Sequence, residues 1–264
     1  MNKVVGSLSQ DDIKLINKDF QKHINDGKCK KHFGVIVVLD VLGWKNNATP
    51  EFMERYFSLI NSLRSQINDT RLRCTSQPEL SNISVNVLSD TLVICIDGSY
   101  PYCELNIFSA INHFIAESLK NGIIYRGAIS YGEYYINQPG NAFIGKPIYE
   151  ALKLAEQTDW SGVIITDSLA NALLKNNLID SLIALNIFPY HIPFKKGYGT
   201  KDQLVLYPSF EILKFRTQIS NVAELKTLYK GIILIDQNED NVLKYNNTCM
   251  FLDYLESIDW FRLN

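Results

Sequence analysis

The spacing of apolar positions along this chain changes several times, and each change marks an element. Phe33-Gly-Val-Ile-Val-Val-Leu-Asp40 is a continuous apolar run rich in Val and Ile that ends in an acid. That pattern predicts a strand buried on both faces. Gly43 and the Asn46-Asn47 pair break it. Thr49 as cap and Pro50 as first helical residue then open a helix whose Phe52, Tyr56, Leu59, Ile60 and Leu63 share a face. Ahead of the strand the chain is polar. Ser9 with Asp12 three residues later, followed by a sparse stripe of Ile13, Ile16 and Phe20, predicts a helix there.

Residues 68–81 read as a loop. Ile83–Leu88 and Thr91–Ile96 flank Ser89-Asp90, the signature of a tight hairpin. A helix is expected from about Glu104 to Lys120, with Ile107, Ile111, Phe114 and Ile115 inward and Gly122 as its stop. Ile123–Ile136 is strand-rich. Gly145-Lys-Pro147 opens a helix with Ile148, Ala151, Leu152 and Ala155 on one side, Gly162–Thr166 is a further strand, and Asp167 is expected to cap the next helix. Strands near 186–192 and 203–207 bracket the loop Phe194–Thr200. Beyond about 209 strand signals cease, apart from a short apolar run at 232–235. Asn221 with Glu224 opens one helix there, and Val242, Tyr245, Cys249 and Leu252 mark another.

The order strand–helix–hairpin–helix–strand is the split βαβ, or ferredoxin-like, plan of an α+β fold. The expected organisation is an N-terminal helical segment (1–32), an α+β unit (33–208) with further α/β elements after its βαββαβ core, and a helical C-terminal extension (209–264). No internal repeat is present.

Composition narrows the function classes. The 264 residues suit one large domain or one plus an appendage, and 46% apolar with 20% charged residues excludes wholesale disorder. Lys+Arg 26 against Asp+Glu 28 leaves −2, so nucleic acid is not an expected partner. No apolar run approaches the roughly 18 residues of a membrane span. Met1–Ser7 has no apolar signal region, and the five cysteines show no metal or disulfide spacing. These features predict a cytoplasmic protein with reduced thiols. Histidines 23, 32, 113 and 191 have no ligand-like spacing, and no nucleophile triad or GxxxxGK[ST] loop stands out.

Two acids fall at telling places. Asp40 ends the first strand and Asp90 sits in the hairpin between the second and third. In an antiparallel arrangement those strands are neighbours, so the carboxylates converge at one end of the sheet. Paired carboxylates beside an open surface suit two divalent cations and the triphosphate of a nucleotide. Lys195 and Lys196, in a loop with Gly197 and Gly199, suit phosphate binding.

In order and approximate spacing, Val37-Val-Leu-Asp-Val-Leu-Gly43, Leu88-Ser-Asp-Thr-Leu92, Arg126-Gly-Ala-Ile-Ser-Tyr-Gly132 and Ile144-Gly-Lys-Pro-Ile-Tyr-Glu-Ala-Leu-Lys-Leu154 resemble the class III nucleotidyl cyclases. Gly162–Ser168 and Phe194–Gly199 look like that family's last strand–helix unit and lysine loop. The resemblance spans about 33–208. It implies cyclisation of a nucleoside triphosphate to a 3′,5′-cyclic monophosphate with release of pyrophosphate. It also implies Asp40 and Asp90 as metal-binding aspartates for two Mg²⁺ or Mn²⁺ ions, with the Val41 carbonyl as a further ligand. The family's transition-state asparagine and arginine correspond to Tyr149 and Lys153, four residues apart on one helix face. Lys153 keeps a cation but not the arginine fork. The family acts as a homodimer with composite sites, so Asp40 and Asp90 would come from one subunit and Tyr149 and Lys153 from the other.

The base-reading positions depart from the family. Asn86 stands where adenylate cyclases have lysine and guanylate cyclases glutamate, and Ala142 stands at the partner position. An amide both donates and accepts, so Asn86 suits a pyrimidine edge, UTP or CTP. This resembles the divergent pyrimidine cyclases of bacterial anti-phage signalling. Two other classes stay open: a degenerate cyclase-like module that binds without turnover, and another palm-like nucleotidyltransferase.

Overall fold

The computed structural model describes residues 18, 29–44, 49–74, 83–98, 101–137, 142–175, 182, 184–196, 200–235 and 238–260. The expected N-terminal helix with its Ser9 cap and the Gly197–Gly199 stretch lie outside the described residues.

The apolar run forms the centre of β1 (Cys29–Val41), which starts ahead of that run. Val35 to Leu39 are fully buried because helices cover both faces of the strand. Its neighbours are β3 (Thr91–Asp97) and β4 (Tyr125–Asn137), both antiparallel to it. With β2 (Ile83–Leu88) outside β3, the sheet begins β2-β3-β1-β4, the order of a ferredoxin-like βαββαβ unit. It continues through β6 (Val163–Ile165), β8 (Thr200–Leu206) and β7 (Ile187–Pro193), while β5 (Ala142–Ile144) pairs with β4. Among the described residues only β4–β6 is parallel, and the other pairings are antiparallel. The fold is α+β with a mixed sheet.

Strand alternation sorts the core into two. Val35, Val37, Leu39 and Val41 meet α1 (Pro50–Cys74), α2 (Pro101–Lys120) and α4 (Asp167–Lys175). Ile36 and Val38 meet α3 (Lys146–Gln157), α5 (Phe210–Thr217), α6 (Val222–Ile233) and α7 (Glu239–Ser257) on the other face. The C-terminal helices therefore share their core with the sheet. Phe251 of α7 packs edge-on against Trp160 at 4.6 Å and Tyr207 at 5.2 Å, and all three are buried. Among the described residues no helix is long and apolar enough to cross a membrane.

Local signals act as the spacing predicts. The Thr49 hydroxyl accepts from Phe52 N at 3.2 Å, and the α1 stripe Phe52/Tyr56/Leu59/Ile60/Leu63 is buried. Gly122 ends α2 at φ +74, where a side chain would be strained. Asn221 accepts from Glu224 N while the Glu224 carboxylate accepts from Ser220 N, a reciprocal cap for α6.

Several details differ from expectation. Residues 68–74, expected in a loop, close α1 because the helix runs on past its apolar stripe, and 29–32, expected in the N-terminal helical segment, open β1 by pairing with β4. Thr166, not Asp167, caps α4: its Oγ1 accepts from Leu169 N at 3.4 Å, and Asp167 is the first helical residue. The apolar run at 232–235 is no strand but the end of α6 and its following turn, because Val222, Leu225, Tyr229 and Ile233 together make a helical stripe. Val242 is exposed on α7, whose buried side is Thr248, Phe251, Leu252 and Leu255.

Candidate functional site

Register decides what stands beside Asp40. Directly opposite it on β4 is Arg126, and on β3 Thr91. Paired residues share a face, so the Arg126 guanidinium meets the carboxylate, donating from Nε to Oδ2 at 2.8 Å and ion-pairing with the same oxygen through Nη2 at 2.7 Å. The two strands come close here because residue 127 is glycine. A Cβ at 127 would lie 2.3 Å from the Val38 carbonyl oxygen.

Asp90 arrives through the hairpin. Leu88 and Thr91 pair, leaving Ser89-Asp90 as a two-residue turn with Ser89 in the left-handed region at φ 60. The Asp90 carbonyl accepts from Val41 N at 3.0 Å, which pins the turn to the end of β1 beside Asp40. Burial raises the Asp40 pKa most; Arg126 opposes that shift, Asp90 adds to it by repulsion, and Lys195 opposes it. The buried Tyr56 hydroxyl of α1 has no hydrogen-bond partner and is pushed up to about 12 by burial and then by Asp90 and Asp40.

A second acid–base layer follows. Arg126 Nη1 donates to the Thr158 carbonyl at 3.2 Å, and Thr158 bridges to Phe194, which places Lys195 next to this segment. Lys195 N donates to the Gln157 carbonyl at 2.8 Å. Asp159 is buried, and burial raises its pKa against the pull of Lys244 and Lys195. Lys195 is lowered, first by burial and then by Arg126. Asp40, Asp90, Arg126, Asp159, Lys195 and Lys244 thus form one charged cluster.

Other expected residues stand apart from it. Lys196 is exposed. Tyr149 is 65% exposed and Lys153 is exposed, both on the side of α3 away from buried Ile148, Ala151 and Ala155. The Lys153 ammonium lies 6.0 Å from the Tyr149 ring centroid. Among the described residues, neither hydrogen-bonds or ion-pairs with Asp40 or Asp90 of the same chain. Asn86 pairs with Val93, which puts it on the Asp40 face of the sheet, and its half-buried amide has Nδ2 without a hydrogen-bond partner. Ala142 pairs with Asn137.

Arg126, Asp159 and Lys244 were missed as cluster members by sequence reasoning. Arg126 carried one signal, a charge inside an apolar strand between Tyr125 and Gly127. Asp159 and Lys244 carried none, since nothing local joins residues so distant in the chain.

The donor set fits a divalent cation of the hard type. Two carboxylates and a backbone carbonyl suit Mg²⁺ or Mn²⁺ when phosphates and water complete the shell. Asp90 repels the carboxylate of Asp40, and a cation between them relieves that repulsion. Among the described residues no group of three or more His, Cys, Asp or Glu side chains forms a metal cage.

No protein-family profile matches the sequence, and no curated protein matches it. Solved structures with a similar chain course include the catalytic core of a rhodopsin-guanylyl cyclase with converted specificity, at 14% identity and TM-score 0.41 over 69% of this chain and 98% of that one. The adenylyl cyclase CyaB from P. aeruginosa is similar at 10% identity and TM-score 0.41, over 69% and 96%. A class III adenylyl cyclase-like ATP-binding protein from Pseudomonas aeruginosa covers 98% of this chain and 54% of its own, at 12% identity and TM-score 0.44. Likenesses this faint carry no chemistry from those proteins to this chain.

Proposed function

We propose that this chain is a nucleotidyl cyclase that converts a nucleoside triphosphate, UTP or CTP, into its 3′,5′-cyclic monophosphate and pyrophosphate. The observation that carries this reading is the meeting of Asp40 and Asp90 at one strand end, edged by Arg126 and Lys195. An anionic pair with cations on its flank suits a metal–triphosphate complex better than either a bare cation or a bare anion.

In this reading Asp40, Asp90 and the Val41 carbonyl hold two divalent cations, which when bound neutralise phosphate charge and acidify the attacking hydroxyl. Lys195 and Lys196 meet the phosphates. The 3′-hydroxyl of the nucleotide gives its proton to water and its oxygen bonds to the α-phosphorus of the same molecule, while the bond from that phosphorus to the oxygen bridging to the β-phosphate breaks and pyrophosphate leaves. Tyr149 and Lys153 act from a second copy, since their exposed face of α3 is free to reach across a homodimer. Asn86 and Ala142 read the base, and the unpartnered Nδ2 of Asn86 supports a donor role there. A cytoplasmic signalling role, including anti-phage signalling, belongs to the same proposal.

A second reading, nucleotide binding without turnover, draws on one observation. Lys153 sits over the ring of Tyr149, where the family pairs an asparagine with an arginine. Incubating the pure chain with Mn²⁺ and each of the four nucleoside triphosphates separates the readings. Cyclic monophosphate with pyrophosphate supports the cyclase. Linear oligomers with pyrophosphate point to a palm-like polymerase, and nucleotide binding with no product points to the binding module.

A further inference from the structure

The C-terminal helix α7 reaches into the charged cluster. Its Asn247 donates from Nδ2 to the Asp159 carbonyl at 2.8 Å, and its Thr248 hydroxyl accepts from Ser161 N at 3.0 Å. The same hydroxyl donates to the Lys244 carbonyl at 2.8 Å, within the helix. Residues three and four apart share a helix face, so Lys244 lies on the side that Asn247 and Thr248 seat against 159–161. Lys244 is half-buried there. That seated segment also receives Arg126 through the Thr158 carbonyl and carries Lys195 alongside through the Gln157 carbonyl. Lys244 from α7, Lys195 after β7 and Arg126 from β4 therefore all act on Asp159, and Arg126 and Lys195 act on Asp40 as well.

We propose that Lys244 is a phosphate-binding residue: the C-terminal extension supplies one wall of the nucleotide site and, with Lys195, grips the polyphosphate tail. The proposal rests on reading the Asp40/Asp90 end of the sheet as a nucleotide site. The alternative role, neutralising Asp159 alone, leaves a feature unexplained. Burial lowers the Lys195 pKa most, and repulsion by Arg126 and Lys244 adds to that against the attraction of Asp159 and Asp40. The charge of Asp240, one turn before Lys244, adds to the raised pKa of Asp159. Cations crowded until they disfavour one another are stabilised by an incoming polyanion.

The test is calorimetric titration of the full chain with the magnesium complex of inorganic tripolyphosphate, which needs no turnover. Lys244→Ala is expected to weaken binding about tenfold, the loss of one charge-assisted contact. Lys244→Arg should restore most of it. Lys201→Ala, whose lysine pairs with Asp167 at 2.9 Å on another part of the sheet, should leave binding unchanged. If Lys244→Ala melts early, Lys244→Gln takes its place. Binding that survives both Lys244 variants overturns the assignment while leaving the Asp40/Asp90 reading standing. Equal weakening by Lys201→Ala marks bulk charge and overturns it too. No binding by the unaltered chain overturns the phosphate role of the whole cationic cluster, and the product assay with Asp40 and Asp90 variants then judges the catalytic reading independently.

Discussion

Arg126 sets two nitrogens against a single oxygen of Asp40, donating from Nε at 2.8 Å and ion-pairing through Nη2 at 2.7 Å on Oδ2, and donates from Nη1 to the Thr158 carbonyl. One oxygen of the carboxylate is thereby fixed. The hairpin acid Asp90 is held at the same strand end, where its charge acts on Asp40. The arginine orients the acid without consuming it.

Loss of either acid is the most direct check on the proposed chemistry. Asp40→Asn and Asp90→Asn should each lower cyclase turnover at least roughly 100-fold, about 3 kcal/mol of transition-state stabilisation, with circular dichroism unchanged. Turnover within a fewfold of the unaltered chain in either variant removes that acid from the metal site.

Arg126→Ala leaves the Asp40 carboxylate, 16% exposed, without its ion-pair partner. Removing one partner of a buried pair is costly, and about 3 kcal/mol of unfolding free energy should be lost. Urea titration reads this. A loss below about 0.5 kcal/mol, the range of ordinary surface changes, means water already compensates Asp40.

A shared active site makes a mixing prediction. An Asp40→Asn chain and a Lys153→Ala chain, each inactive alone, should regain activity after subunit exchange, because a heterodimer rebuilds one intact site of its two. No recovery in a mixture shown to exchange rejects the composite site.

Base discrimination should depend on Asn86. Asn86→Ala should lose more activity with the preferred nucleotide than with the other three, since a site built to hydrogen-bond one edge rejects the others by leaving polar groups unpaired. The preferred base should be a pyrimidine. Competition among the four nucleotides gives the ranking. A purine at its head, or a ranking that Asn86→Ala leaves unchanged, refutes the base-reading role.

Asp159 gives a pH dependence of stability. Its pKa is raised in the folded chain by burial, against Lys244, Lys195 and Arg126 and with help from Asp240. A raised carboxyl contributes stability that is whole below the ordinary carboxylate range, about 4, and fades as pH climbs through the folded value. Asparagine does not titrate. The stability of Asp159→Asn relative to the unaltered chain should therefore improve as pH rises from that range towards neutrality. Unfolding curves at matched ionic strength measure the difference, and an opposite slope means the cations dominate.

Much of the fold was legible because it is locally encoded. The run Val35–Leu39 needed only its own composition to read as a two-sided strand, and Thr49, Pro50, Gly122 and Asn221 act on backbone groups within four residues. Asp40 and Asp90 were also legible, since a strand end and a two-residue turn are both visible in sequence, and one assumption about strand neighbours brings them together. Where local rules competed, as at Thr166 and Asp167, two adjacent residues could each cap the helix, and only backbone geometry chose between them.

The charged cluster belongs to the tertiary structure. Arg126 meets Asp40 across 86 positions of sequence because the β1–β4 register pairs them, and a shift of one residue would turn Arg126 to the other face. Asp159 and Ser161 meet Asn247 and Thr248 of α7 across 88 and 87 positions, through hydrogen bonds that exist only once the C-terminal helices have packed on the sheet. Sequence determined which elements form and which acids lie at their ends, because those interactions span a turn or a strand. The cations around the acids were decided by packing, because apposition of distant segments is set by the shared core of Trp160, Tyr207 and Phe251 rather than by any neighbouring residue.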